Sequence, residues 1–128
     1  MSEISKNARI GGYILTGLPA LFLLFDGVMK LFKPDLVVKE TVRLGYAEWT
    51  IIPVGIVLII CTLLYLLPTS SVLGAILLTG YLGGAVATHV HLFEGTFPVL
   101  FPVIIGTMIW AGLYLRDVRL RALLPLTS

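Results

Sequence analysis

The chain has 128 residues, of which 58% are hydrophobic and 12% are charged, and its formal net charge is +2 at pH 7. Soluble domains are about half apolar and about one quarter charged, so this composition excludes an ordinary soluble protein. Its few basic residues lie at the ends of apolar segments. Because they form no basic stripe that would follow a phosphate backbone, nucleic acid is excluded as a partner.

Four apolar segments follow one another along the chain, at residues 10–31, 49–67, 72–90 and 98–115. Each is about long enough to cross the hydrocarbon core of a bilayer as a helix. The first follows Lys6 and Arg9 and has no small-residue cleavage pattern, so we interpret it as a retained span. The sequence therefore predicts an all-α integral membrane protein, a single up-and-down four-helix bundle that occupies residues 1–128.

The connection between the first two spans has an amphipathic pattern. Val38 and Val42 share one face of a predicted helix, and Lys39 and Arg43 lie outside that face. This pattern is typical of a short interfacial helix on the membrane surface. A helix packed over the end of the bundle has the same pattern, and both interpretations stay open.

The connection between the second and third spans is very short, at residues 68–71. So short a link makes the two spans antiparallel neighbours. Ser70 or Ser71 is the predicted N-cap of the third span, because a serine hydroxyl accepts a hydrogen bond from the first turn of a helix.

The aromatic residues form two sets that are typical of interfacial belts. Tyr13, Tyr65 and Tyr114 fall at one membrane level. The set at the other level consists of Phe32, Tyr46, Trp49, Phe93 and Phe97. Basic residues near the chain termini exceed those on the opposite side by five to four. The positive-inside rule then favours cytoplasmic termini in a plasma or bacterial inner membrane.

Three ionisable residues lie inside or at the edge of the spans: Asp26 and Lys30 in the first span and His89 in the third. An ionisable group at this depth is costly and is usually functional. Two membrane crossings separate the ends of these spans, so we expect the three side chains to converge at one level. Trp49 joins them there, and the opposite end of the bundle is expected to be comparatively bland.

Asp26 and Lys30 are four residues apart and therefore share a helical face, with the acid on the favourable N-terminal side. They can form a functional site, with Asp26 the deeper group. Alternatively, the pair neutralises itself while the Lys30 stem reaches toward the interface. His89 can donate to a carbonyl or shuttle protons near neutral pH, or it can simply bond a neighbour.

Gly80, Gly84 and Thr88 follow one another at one-turn intervals and form a small-residue stripe in the third span. Such a stripe permits close approach of another helix, either within the bundle or from another protein. His89 and His91 point in different directions on a helix, so the sequence predicts no metal site. Cys61 is the single cysteine and cannot form an intrachain disulfide.

Three segments carry a resemblance to a known family: FDGVMKL at residues 25–31, the span at residues 72–90, and WAGLYLRD at residues 110–117. With them, residues 10–124 resemble the DoxX-like family of small four-span membrane proteins. The family is named after a subunit attributed to quinone-linked sulfur oxidation, while most members have no assigned activity. More distant relatives of this helical type are similar to assembly chaperones and sterol-type ligand modules.

Two functional hypotheses follow. In the first, a quinone or another small apolar ligand binds at Asp26, Lys30, His89, Trp49 and Tyr81. No intrinsic cofactor is predicted, so electrons come from a membrane redox partner. In the alternative, a non-enzymatic scaffold, chaperone or subunit packs its glycine stripe against another membrane protein or a second copy. Catalytic residues are not assigned, and a proton-coupled transporter lacks the broken-helix repeats expected of it.

Overall fold

The computed structural model describes residues 5–123, and its regular elements are all helical. A 3₁₀ turn at Glu48–Thr50 leads directly into the third α-helix. The helices are α1 (Lys6–Phe32), α2 (Asp35–Arg43), α3 (Ile51–Leu66), α4 (Ser71–His91), α5 (Thr96–Arg116) and α6 (Val118–Leu123).

Four of these segments are long and apolar enough to cross a membrane: Lys6–Phe32, Glu48–Leu66, Ser71–His91 and Thr96–Arg116. All four predicted spans are confirmed. In each of them, only 28% to 33% of the most apolar 18-residue stretch is buried inside the bundle. The outward faces are apolar as well, and such a surface is stable in hydrocarbon and not in water. The chain is therefore an integral membrane protein.

The four spans form a ring in which α1 and α4 occupy opposite corners. Helix α1 packs against α3 and α5, and α4 packs against the same two helices. The predicted pairing of α3 with α4 is confirmed. The prediction that the first and third spans end side by side is wrong, because α3 and α5 separate them. We call the end where α1 and α4 finish the mouth end, and the opposite end the terminal end.

Glycines form the close contacts of this ring. A Cβ atom at Gly12 would lie 3.0 Å from the Gly112 carbonyl oxygen, and one at Gly55 would lie 3.0 Å from the Gly27 oxygen. These pairs bring α1 against α5 and α3. A Cβ atom at Gly74 would lie 2.5 Å from Tyr65 Cα, where α4 meets α3. Small residues therefore set the distances between neighbouring helix backbones.

The glycine stripe of α4 has no such role within the chain. A Cβ atom at Gly80, Gly83 or Gly84 would have no neighbour within 4 Å among the described residues. All three glycines are exposed on the outside of the bundle. The interpretation that Gly80 and Gly84 pack against a helix of the bundle is therefore wrong. Contact of these glycines with another protein stays a prediction.

Ser70 is the N-cap residue of α4, as predicted, but its side chain does not cap that helix. Its hydroxyl donates to the Leu64 carbonyl at 2.9 Å, and the Ser71 hydroxyl donates to the Leu67 carbonyl at 2.7 Å. Both serines thus satisfy carbonyls at the end of α3. In so tight a connection, those free carbonyls lie within reach of the two hydroxyls.

The hydrophobic core fills only one half of the bundle. Its most mouthward members on α1, α4 and α5 are Leu23, Leu82 and Ile105. From that level the core continues to the terminal end. On the mouth side of that level, the buried apolar side chains among the described residues are Ile51 and Pro102. Buried apolar side chains are therefore fewer in the mouth half than in the terminal half.

Substitution of the buried and exposed glycines of α4 tests this packing. Gly74→Ala is expected to lower the free energy of unfolding by about 1–3 kcal/mol, because the new methyl group overlaps the α3 backbone. Gly80→Ala, the matched control on the same helix, meets open space and should be at least as stable as the wild type. Thermal unfolding of both variants in one detergent compares them. Equal melting temperatures for the two variants would contradict the packing described.

Candidate functional site

The predicted ion pair of α1 forms in the mouth half. Lys30 Nζ lies 2.7 Å from Asp26 Oδ1. Asp26 lies one turn deeper in the span than Lys30, as expected. The Lys30 side chain is nevertheless the more covered of the two, at 18% exposed against 34% for Asp26. The reason lies on α3: a Cβ atom at Gly55 would be 2.8 Å from Lys30 Cβ. The glycine leaves the room in which the lysine stem packs.

Tyr81 approaches this pair from the opposite corner of the ring. Its side chain is largely buried, packs against the hydrophobic core, and lies within electrostatic range of Asp26. We call Asp26, Lys30 and Tyr81 the polar cluster. In this cluster the carboxylate and the ammonium are paired, and the phenol lies within electrostatic range of the carboxylate.

Aromatic rings lie beside the polar cluster. Phe22, one helical turn before Asp26, contacts Phe101 of α5 edge to face, with 5.2 Å between ring centroids. Phe97 is 5.6 Å from the same ring of Phe101. Edge-to-face pairs are stabilising beyond the area they bury. The cluster therefore has an aromatic wall on its α1–α5 side.

His89 and Trp49 do not join the polar cluster. Among the described residues, His89 makes no hydrogen bond to Asp26 or Lys30, and it lies instead within electrostatic range of Glu40 on α2. It follows Tyr81 by eight residues, about 12 Å further toward the mouth surface. The Trp49 ring is 74% exposed. The expected convergence of His89 with the ion pair is wrong. Counting spans shows which end of the bundle a residue is near, but it gives neither its exact depth nor the direction in which its side chain leaves the helix.

A polar lid covers the mouth end. Arg43, at the end of α2, donates to Glu40 at 2.7 Å and pairs with Glu94 in the α4–α5 connection. Tyr46, which follows α2, bonds the Thr88 hydroxyl, while Thr88 donates to the carbonyl one turn earlier in α4. Thr88 thus anchors the lid. These links were not predicted from the sequence. The signal for one of them is that Arg43 and Glu94 have opposite charges and lie in two connections at the same end of the bundle.

Helix α2 itself is confirmed as a short helix, and none of its residues is buried. Its contacts are with the 3₁₀ turn and, through Arg43, with the α4–α5 connection. The structure therefore favours the surface-helix interpretation over a helix packed tightly on the bundle.

The terminal end is not bland, contrary to expectation. Arg116 Nε donates to Thr16 Oγ1 at 2.9 Å, and Thr16 lies 3.3 Å from the Tyr65 hydroxyl. That hydroxyl donates to the Ile109 carbonyl at 2.6 Å. Tyr65 is fully buried and does not belong to an interfacial belt, where its position had placed it. Arg116 also donates to the Tyr65 carbonyl at 3.2 Å and lies over its ring.

Two surface cavities lie away from the polar cluster. One, of about 710 Å³, is an apolar groove between α4 and α5, where Trp110 donates to Thr79 at 2.7 Å. The other, of about 330 Å³, lies at the terminal end beside Arg116. In the described part of the chain, no group of three His, Cys, Asp or Glu side chains is arranged to hold a metal ion.

Acidification tests the lid. The hydrogen bond from Arg43 lowers the pKa of Glu40 below its ordinary value of 4.5. Glu40 and Arg43 both belong to α2, so their pair stabilises the helix itself. A lowered pKa means that this stabilisation is complete above pH 4.5 and is lost as the pH falls through the lowered value. Hydrogen exchange of α2, normalised to unstructured peptide rates, should therefore accelerate at pH 3 relative to pH 7.

Arg43→Gln should reproduce the effect at pH 7, with exchange about two- to fivefold faster because the pairs are exposed. Lys39→Gln is the matched control, because it removes from the same helix a cation that has no carboxylate within ion-pair distance among residues 5–123. If Arg43→Gln and Lys39→Gln exchange at the same rate, Arg43 does not hold the lid.

Comparison with known proteins gives one match. The model of the DoxX-like family matches residues 14–112, which include the polar cluster, the aromatic wall and most of the four spans. Neither the curated proteins nor the solved structures gave a match. The family match covers well over half of the 128 residues. The chain belongs to the DoxX-like family.

Proposed function

We propose that this protein binds a quinone, or a similar small apolar molecule with a carbonyl oxygen, in the mouth half of its bundle. The observation that carries the proposal is the Asp26–Lys30 ion pair, which lies within electrostatic range of Tyr81 near the mouthward edge of the hydrophobic core. We place the protein in the plasma membrane, the bacterial inner membrane, with cytoplasmic termini.

The energetics of the pair support a role beyond stability. Removing two charges from water costs several kcal/mol, and an apolar replacement of similar volume is often at least as stable. Buried apolar side chains are also few around the pair, since Ile51 and Pro102 are the described ones on the mouth side of the core. A costly pair beside incomplete packing is typical of a ligand site.

The polar cluster has the donors that a carbonyl oxygen requires. The Lys30 ammonium has three N–H groups, and Asp26 accepts one of them. The remaining N–H groups and the Tyr81 hydroxyl can donate to one ligand oxygen, while Asp26 fixes the direction of the ammonium. Phe22 and Phe101 form an apolar wall for the ring. The lid over the mouth end limits the entry of water.

This assignment gives the chain a binding and positioning role. Electrons for a bound quinone come from a redox partner in the same membrane, since the cofactor carries the redox chemistry and the protein orients it. Whether the protein counts as an enzyme therefore depends on the complex in which it works. His89, near Glu40 at the lid, lies on the route by which protons reach the cluster.

A quinone titration tests the proposal. The chain has two tryptophans, and Trp110→Phe leaves only Trp49, at the mouth end. The fluorescence of Trp49 then reports binding of a short-chain ubiquinone analogue. In this background Tyr81→Phe should weaken saturable quenching about tenfold, because it removes one donor to the carbonyl. Asp26→Asn combined with Lys30→Met should abolish it without leaving an unpaired charge.

The matched control is Lys33→Met, which removes a lysine that pairs at 3.5 Å with exposed Glu48. It should leave the titration unchanged. Equal quenching in the control and in the Asp26–Lys30 double variant would refute binding at the polar cluster.

A second function is favoured by the exposed glycines of α4, at which an added Cβ atom would have no neighbour within 4 Å in the described part of the chain. In it, the protein packs Gly80 and Gly84 against another membrane protein, and the polar cluster only fixes the helix arrangement. Gly84→Leu should then dissociate the complex extracted in mild detergent, whereas Tyr81→Phe should not. An intact complex in Gly84→Leu would exclude this function.

A further inference from the structure

The cavity at the terminal end is built around two arginines. Its volume is about 330 Å³, and its lining includes Tyr13, Ser71, Arg116, Asp117 and Arg119. It lies on the opposite side of the bundle from the polar cluster and has no part in the proposed quinone site.

One of the two arginines is already neutralised. Arg119 Nη2 lies 3.0 Å from Asp117 Oδ2, and its Nε and its backbone N–H donate to the same carboxylate. Arg116 has no carboxylate within ion-pair distance among residues 5–123. The three charged groups of the cavity therefore leave one uncompensated positive charge.

Arg116 also has unused donors. Its Nε donates to Thr16 and its Nη2 donates to the Tyr65 carbonyl. The Nη1 nitrogen has no partner among the described residues. Every buried side-chain nitrogen in this part of the chain has a partner, so Nη1 must be accessible from outside the protein. The bonds to Thr16 and Tyr65 hold the guanidinium in place. Its free edge is thus fixed before any ligand arrives.

These features match one chemistry. A guanidinium edge with parallel N–H groups binds phosphate oxygens in a bidentate way, and the match is better than for an ammonium. Helix α4 begins at Ser71, in the cavity wall, so the positive end of its dipole adds to the field. Asp117 is the opposing group, and its pairing with Arg119 limits the repulsion.

We propose that the terminal cavity binds a phosphate oxyanion through Arg116, with Arg119 at its edge. The cavity is at the small end of the range of ligand sites, large enough for a headgroup and too small for a whole lipid. The phosphate comes either from an anionic lipid headgroup at the membrane surface or from a free phosphate compound.

The experiment uses the full chain in nanodiscs of phosphatidylcholine alone or with phosphatidylglycerol. Native mass spectrometry counts the retained phosphatidylglycerol, and inorganic phosphate is titrated by calorimetry in the phosphatidylcholine discs. Arg116→Gln should weaken binding about tenfold or more, because it removes a charge-assisted pair of hydrogen bonds. Arg119→Gln, at a more exposed position, keeps the test valid if Arg116→Gln does not fold. It should weaken binding less than Arg116→Gln does.

The matched control is Arg9→Gln, which removes an exposed arginine from the same end of the bundle. If the wild type and Arg9→Gln retain the same amount of phosphatidylglycerol, the bound phosphate belongs to a lipid headgroup. Saturable binding of inorganic phosphate identifies a free phosphate compound. Equal losses in Arg9→Gln and Arg116→Gln would show general charge attraction and overturn the proposal, as would wild-type protein that binds neither probe.

Discussion

A chain of hydrogen bonds inside the terminal half holds the bundle together. Arg116 donates to Thr16, Thr16 contacts the Tyr65 hydroxyl, and Tyr65 donates to the Ile109 carbonyl. These groups belong to α1, α3 and α5. In hydrocarbon a broken polar contact has no water to replace it, so the three helices cannot slide independently. The positions of all other residues along the bundle depend on this register.

The fixed register divides the molecule into two halves with different properties. The terminal half is filled by the hydrophobic core and carries a charge whose hydrogen bonds are part of the structure. The mouth half has a polar cluster and few buried apolar side chains. It is closed by surface pairs of the lid, which open more easily than buried contacts. Rigidity at one end and incomplete packing at the other are what a binding site on a small bundle requires.

Hydropathy and helical spacing were enough to predict the four spans, the surface helix and the Asp26–Lys30 pair, because these depend on residues close in sequence. Helix α1 lies opposite α4 because α5 packs between them on one side and α3 on the other. No local sequence pattern shows which helices become neighbours in this way. Gly80 and Gly12 show the same limit: both are glycines in an apolar span, yet one faces outward and the other contacts Gly112. Tyr81 was named as a binding residue and lies within electrostatic range of Asp26, whereas His89 was misplaced because counting spans gives no direction around a helix.

The central claim is that the polar cluster is accessible from the mouth end at Tyr81, whereas the core is closed one turn deeper, at Leu78. Single-cysteine variants at these two positions, in a Cys61→Ala background, measure this directly with a small membrane-impermeant thiol reagent in nanodiscs. The account predicts modification at position 81 and protection at position 78, which is 0% exposed. Protection at both positions would mean that the mouth half is packed shut, and it would contradict the account.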